Sequence, residues 1–277
     1  MIINPIDPFK VSIKRYIWKN ITQIRSFGRR HMGQHVLDNI YLATTQKAGS
    51  QWFGAIFRDK RIRNYTNLLV YPQHHYDTNE FHMRFPLGTV IPGLYINYQK
   101  YKFIIHKPPK YKTIYIYRDP RDIVVSWYYS VLESHGATTL IEQNRRILKN
   151  MSKKDGLIYA IKFLNFKFTD IRSWVEMGNA DEHVMIIKFE DITKHVVRNL
   201  AYIFEYLGID IPISVIENVS KDYTKNMMRH RDIMHRKNKS ISHYREVASD
   251  HRDEFESEHY DLFTASTGNL LSLLNYE

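Results

Sequence analysis

The chain has 277 residues, of which 40 are Lys or Arg and 29 are Asp or Glu, giving a formal net charge of +11. Hydrophobic residues make up 43% and charged residues 25%, a globular composition that excludes a disordered or fibrous chain. There is no cysteine, so a disulfide scaffold and a thiolate metal site are excluded too.

The first strand expected in chain order is Asn39–Thr44, a short apolar run of the kind buried on both faces of a parallel sheet. The small-residue loop Thr44-Thr45-Gln46-Lys47-Ala48-Gly49-Ser50-Gln51 follows, and a helical pattern opens at Trp52. Such a loop aims consecutive main-chain N–H groups at one point, and the helix N-terminus adds positive potential there, which suits a phosphate or sulfate. Lys47 brings a mobile charge, Ser50 and Gln51 bring side-chain donors, and Trp52 brings a face for stacking. This is not a Walker A loop, because Lys47 precedes the loop's single glycine, Gly49. An ordinary strand-to-helix turn with a surface lysine would read the same way.

Further strands are expected at Asn67–Tyr71, Lys102–Ile105, Lys112–Tyr117 and Val184–Phe189. Asp119-Pro120-Arg121-Asp122 is a helix start, with an N-cap Asp, a Pro at the first helical position and an acidic third residue. Arg118 ends the strand before it, on the ligand side of an open α/β sheet. Ser126 lies eight residues further on, inside the helix. A guanidinium and a hydroxyl so placed can grip one phosphate from two sides. Phe163–Met177 reads as a long helix. Val196 to Leu207 shows one apolar helical face with Gly208 as its stop. The alternation implies a three-layer α/β fold, a mostly parallel central sheet flanked by helices in a P-loop-like architecture. No repeat or linker divides the chain, so residues 1–277 read as a single domain, with no role assigned to residues 1–38. The longest apolar runs fall far short of the ~20 residues a membrane span needs, and a cytoplasmic protein is expected. The net charge asks for an anionic partner without naming it. The basic residues form no stripe, which argues against nucleic acid.

The two loops, 71 positions apart from Lys47 to Arg118, together resemble the sulfotransferases that use 3′-phosphoadenosine 5′-phosphosulfate (PAPS) and release 3′-phosphoadenosine 5′-phosphate (PAP). TTQKAGSQW resembles that family's phosphosulfate loop, usually YPKSGTTW. YRDPRDIVVSWYY resembles its 3′-phosphate motif. Lys188-Phe189-Glu190-Asp191 and the closing Leu274-Asn275-Tyr276-Glu277 are similar to its late elements.

The resemblance implies sulfuryl transfer from PAPS to a hydroxyl or amine of a small-molecule acceptor, without a metal. A natural product is the favoured acceptor, and a glycan or a nucleotide-kinase activity are the alternatives. It implies that Lys47, Ala48, Gly49, Ser50 and Gln51 hold the 5′-phosphate, Trp52 flanks the adenine, and Arg118 and Ser126 hold the 3′-phosphate. His106 matches the family's catalytic histidine and is expected to be the general base, with Lys47 stabilising the leaving group. Tyr76, Phe81 and Tyr98, within an aromatic stretch that includes Tyr71, Phe85, Tyr95 and Tyr101, are expected to line the acceptor site. Nucleic acid and membrane are not expected partners; assembly is left open, a homodimer included.

The sequence departs from the pattern in three places. Ile104 stands where the family has Lys, with Lys102 and Lys107 as substitutes. Phe189 stands where the family has Tyr. The late RKGxxG clamp is absent, and Arg245 is its best counterpart, ahead of Arg236 and Lys237.

Overall fold

Alternate side chains of one strand divide between two buried faces. Along Asn39–Thr44 (β1), Ile40 and Leu42 enter one apolar cluster, and Tyr41 and Ala43 enter another on the opposite face. A strand covered on both sides belongs in a parallel sheet between two helical layers. The computed structural model describes residues 20–21, 37–72, 84–134, 138–235, 242, 244 and 250–276.

Among these, Leu69–Val70 (β2), Thr89–Leu94 (β3), Tyr111–Tyr117 (β4) and Val184–Lys188 (β5) join β1 in one sheet, ordered β2-β3-β1-β4-β5. All four pairings are parallel. The mostly parallel sheet expected from the sequence is thus parallel throughout.

Helices Ser50–Arg58 (α1) and Lys60–Thr66 (α2) follow β1. Tyr98–Ile104 (α3) bridges β3 and β4. Pro120–Tyr129 (α4) follows β4 and runs into a π-turn over Ser130–Ser134. Thr139–Lys149 (α5) and the 26-residue Lys153–Gly178 (α6) lead to β5. Phe189–Lys194 (α7), Val196–Tyr206 (α8), Ile213–Asp222 (α9) and Lys225–His235 (α10) follow. His251–Glu254 (α11), Ser257–Thr267 (α12) and Leu270–Leu273 (α13) close the fold.

One helical layer, with α1 and α8, covers the Ile40, Leu42, Ile114 and Ile116 side. On the other face Trp174 of α6 stacks flat on Tyr115, with ring centroids 4.6 Å apart. A third cluster gathers α4, α6 and α12 around Val124, Ile161 and Phe263.

Local signals explain the ends of the key helices. The Asp119 carboxylate caps α4 by accepting from Arg121 N, and Pro120 occupies the first helical position. Gly208, at φ 66°, stops α8 in a Schellman turn: Gly208 N donates to Glu205 O and Ile209 N to Phe204 O.

One expectation is corrected, and one strand is added. Lys102–Ile105 is not a strand, because its first residues close α3. Asn97 caps that helix, and Tyr98 and Tyr101 are buried at a helical spacing. The strand beside β1 is instead Thr89–Leu94, whose Pro92-Gly93 reads as a breaker. The sheet absorbs that pair by a register shift, with Leu42 opposite Pro92 and Ala43 opposite Leu94, and with Gly93 at φ 66°.

Candidate functional site

Loops that leave parallel strands at their carboxyl ends converge at the top of the sheet. The loop after β1 and the loop after β4 are neighbours there, since Thr44 pairs with Ile116. Lys47 has φ 71° and Gly49 φ 88°, both left-handed. For lysine this conformation costs roughly 1–2 kcal/mol, strain of the kind that collects at ligand sites. Gly49 is the N-cap of α1, so the first free helical N–H groups, from Ser50 and Gln51, open onto the loop. The Ala48 N–H instead bonds Thr45 O at 3.3 Å.

Gly49 also leaves no room for a side chain. A Cβ there would lie 2.5 Å from Cε2 of Phe189, the first residue of α7. The aromatic ring in place of the family's Tyr thus closes one wall of the loop. The Arg118 guanidinium lies 5.7 Å from the centre of the same ring.

Arg118 joins the two expected grips. Its Nη1 donates to Lys47 O at 3.2 Å. Its Nη2 is 3.5 Å from Asp122 Oδ2, and its Nε is 4.0 Å from Glu190 Oε1. Arg118 Nε is buried and makes no hydrogen bond. A buried donor without a hydrogen bond can be met by a water, an ion or a ligand. Ser126 lies half-buried on α4, one turn beyond Asp122.

A second tier holds these groups from behind. Asp122 accepts from the His251 main-chain N at 3.0 Å and pairs with its Nδ1 at 2.8 Å. Burial pushes the Asp122 carboxyl up, but the His251 hydrogen bonds and the Arg118 charge outweigh it and hold it below the usual carboxylate range. Asp122, Asp250 and His251 place ligand-type atoms within 4.8 Å of one another. Asp122 is engaged by His251 and Arg118, and Asp250 by Arg252. Glu190 accepts from Asp119 N at 3.2 Å and from the Tyr276 hydroxyl, and Lys188 Nζ donates to Asn275 O at 2.7 Å. The two weaker sequence motifs therefore meet each other directly behind Arg118.

Other expected residues lie elsewhere. His106 is exposed in the segment that enters β4 at its amino end. Its carbonyl accepts from the Tyr41 hydroxyl at 3.4 Å, and nearby Asp38 N bonds Lys110 O. Tyr41 is three strand residues below Thr44, on the order of 10 Å of strand, and the Lys47 loop lies above that. The structure therefore does not bring His106 to the two grips. The proposed substitutes for Ile104 are engaged as well. Lys102 pairs with Asp181 at 3.0 Å, and Lys107 Nζ caps α3 by donating to Tyr101 O, Lys102 O and Ile105 O.

Tyr98 is 7% exposed and donates its hydroxyl to Asp181 at 2.9 Å. Tyr71, Phe85 and Tyr101 are buried in the same cluster. Trp52 is 9% exposed, and its indole N–H donates to Tyr223 O at 2.6 Å, which leaves little ring face for an adenine. Tyr76, Phe81, Arg236, Lys237 and Arg245 lie outside the described residues.

In the sequence Tyr95 is one ring among several. The structure sets its hydroxyl 2.7 Å from Ser50 Oγ, on the first turn of α1. A tyrosine after Pro-Gly-Leu carries no local signal of that contact.

A family model described as a sulfotransferase domain matches residues 37–274. No curated protein matches the sequence. Among solved structures, mouse sulfotransferase SULT7A1 complexed with PAP is similar at a TM-score of 0.59 and 20% identity, over 87% of this chain and 89% of that one. A retinol dehydratase in complex with androsterone and inactive cofactor PAP is similar at 0.53 and 14%, over 86% of this chain and 82% of that one. At these identities the likeness is one of fold. Among the described residues no helix is long and apolar enough to cross a membrane.

Proposed function

The chain belongs to the sulfotransferase-domain family, and we propose that it acts as a single domain that transfers the sulfuryl group of PAPS to a hydroxyl or amine of a small organic acceptor, releasing PAP. The observation that carries this reading is Arg118, drawn onto the Lys47 carbonyl with a buried Nε that makes no hydrogen bond. Similar proteins crystallised with PAP, one of them also with androsterone, support the same donor and an organic acceptor.

The N–H groups of Gly49, Ser50 and Gln51 hold the 5′-phosphate, with the Ser50 and Gln51 side chains beside them. Arg118 and Ser126 take the 3′-phosphate, with Arg245 completing that side. Lys47 stabilises the negative charge that builds on the leaving phosphate as the sulfur–oxygen bond lengthens. Bound PAPS supplies the activated sulfuryl group. The protein contributes position and fixed charge, the main sources of rate in such displacements. Two anion grips on one loop cluster fit a donor with phosphates at two places on its ribose.

Thermal unfolding with PAP, and separately with ATP and Mg²⁺, tests the reading. Stabilisation by PAP and not by ATP is expected. Stabilisation by ATP alone would overturn it in favour of a kinase-like activity.

A further inference from the structure

We propose that the Tyr95 and Ser50 hydroxyls form a relay that carries the acceptor's proton to the departing phosphate, the task expected of His106 from the sequence. The proposal rests on the sulfotransferase reading above. β3 runs parallel to β1 with Leu94 opposite Ala43, so Tyr95 emerges at the same end of the sheet as the Lys47 loop. In the strand order β3-β1-β4, the loop after β1 has Arg118 on one flank and Tyr95 on the other. A donor whose 3′-phosphate lies on the Arg118 side turns its other end towards Tyr95.

The two oxygens are 2.7 Å apart, and either can be the donor. Ser50 is 7% exposed and Tyr95 half-buried, so the pair reaches both the loop and the space beside it. Each hydroxyl carries one proton and can both donate and accept.

The step balances within the pair. As the acceptor oxygen bonds sulfur and the bridging sulfur–oxygen bond breaks, Tyr95 Oη takes the acceptor proton. Its own proton passes to Ser50 Oγ, and the Ser50 proton passes to the leaving phosphate oxygen. The pair ends with the two protons it began with. No free phenolate forms at any point in the relay. The products are the sulfated acceptor and PAP carrying one proton.

The test compares wild type with Tyr95→Phe and Ser50→Ala. PAP binding is read by thermal shift and by the signal of ¹³Cζ-labelled tyrosine, assigned to Tyr95 through Tyr95→Phe. Transfer from ³⁵S-labelled PAPS is read with hexan-1-ol, 4-methoxyphenol and 4-nitrophenol as probe acceptors. Tyr95→Phe is expected to keep the PAP thermal shift. It is expected to lose about 100-fold in transfer to hexan-1-ol, at the low end of general acid–base contributions, and only a few-fold with 4-nitrophenol, which sheds its proton unaided. The Tyr95 signal moves when PAP binds wild type, and that movement is lost in Ser50→Ala.

Equal losses with all three acceptors, no loss, or an unmoved Tyr95 signal with PAP bound overturn the relay. So does a wild type that binds PAP but sulfates none of the three, for hydroxyl acceptors of this kind. The same acceptor-dependent loss on replacing His74, His75, His82 or His135 by Ala, with Tyr95→Phe silent, returns the task to histidine. Failure of wild type to bind PAP removes the donor assignment itself.

Discussion

The Arg118 guanidinium donates to the main-chain oxygen of Lys47 at 3.2 Å, joining two loops that stand 71 positions apart. The bond fixes the spacing of two positive groups at the carboxyl ends of adjacent strands. Arg118→Ala removes one grip and its anchor together. Charge-assisted hydrogen bonds contribute about 1.5–3 kcal/mol, so PAP affinity measured by calorimetry should fall by roughly 10- to 100-fold. Affinity equal to wild type would dissociate Arg118 from the 3′-phosphate. Lys47→Ala should instead lower turnover far more than PAP affinity, because its charge is needed as the leaving group forms.

Gly49→Ala tests the loop geometry. The new methyl group must displace the Phe189 ring and must also adopt a φ near 88°. The left-handed backbone alone costs roughly 1–2 kcal/mol. Gly49→Ala should lose at least this much stability in urea unfolding and also lose the PAP thermal shift. The double variant Gly49→Ala/Phe189→Ala should recover part of the PAP shift, because the ring clash is gone while the backbone strain stays. No recovery would mean that the strain alone disables the loop.

Asp122 couples the C-terminal segment to Arg118 through His251. Asp122→Asn removes the carboxylate that both partners share, leaving Glu190 at 4.0 Å from Arg118 and Asp119 at 3.9 Å from His251, and should cost about 2 kcal/mol of stability. The folded carboxyl binds a proton less readily than the unfolded one. Its contribution is therefore whole above the ordinary aspartate value of about 3.9 and is lost as pH falls through its depressed folded value. Wild type and Asp122→Asn should draw together in stability as pH is lowered from about 6 to about 3. A gap that stays constant would mean the carboxylate charge is not what matters.

His106→Ala should leave sulfuryl transfer within a few-fold of wild type, because the residue sits at the amino end of β4. Loss of transfer with PAP binding retained would restore it as the base.

Much of the fold could be read from the chain because its signals are local. The doubly buried alternation of Asn39–Thr44, the Asp119-Pro120 start and the Gly208 stop each report on their own neighbourhood. The two anion loops were legible for the same reason. The features that were missed depend on distant partners. Pro92-Gly93 breaks a strand by every local rule, yet a register shift against β1 keeps it in the sheet. His106 stands near the expected sequence position, but α3 ends just before it and leaves it below the sheet. Only the parallel pairing of β3 with β1 brings Tyr95 to Ser50, and no spacing in the sequence announces that contact.

The most direct test is a crystal structure of the protein soaked with PAP. The account predicts a 5′-phosphate on the N–H groups of residues 49–51 and a 3′-phosphate on Arg118 and Ser126, with Arg118 Nε now hydrogen-bonded. PAP bound away from both loops, or none bound at saturating concentration, would contradict it.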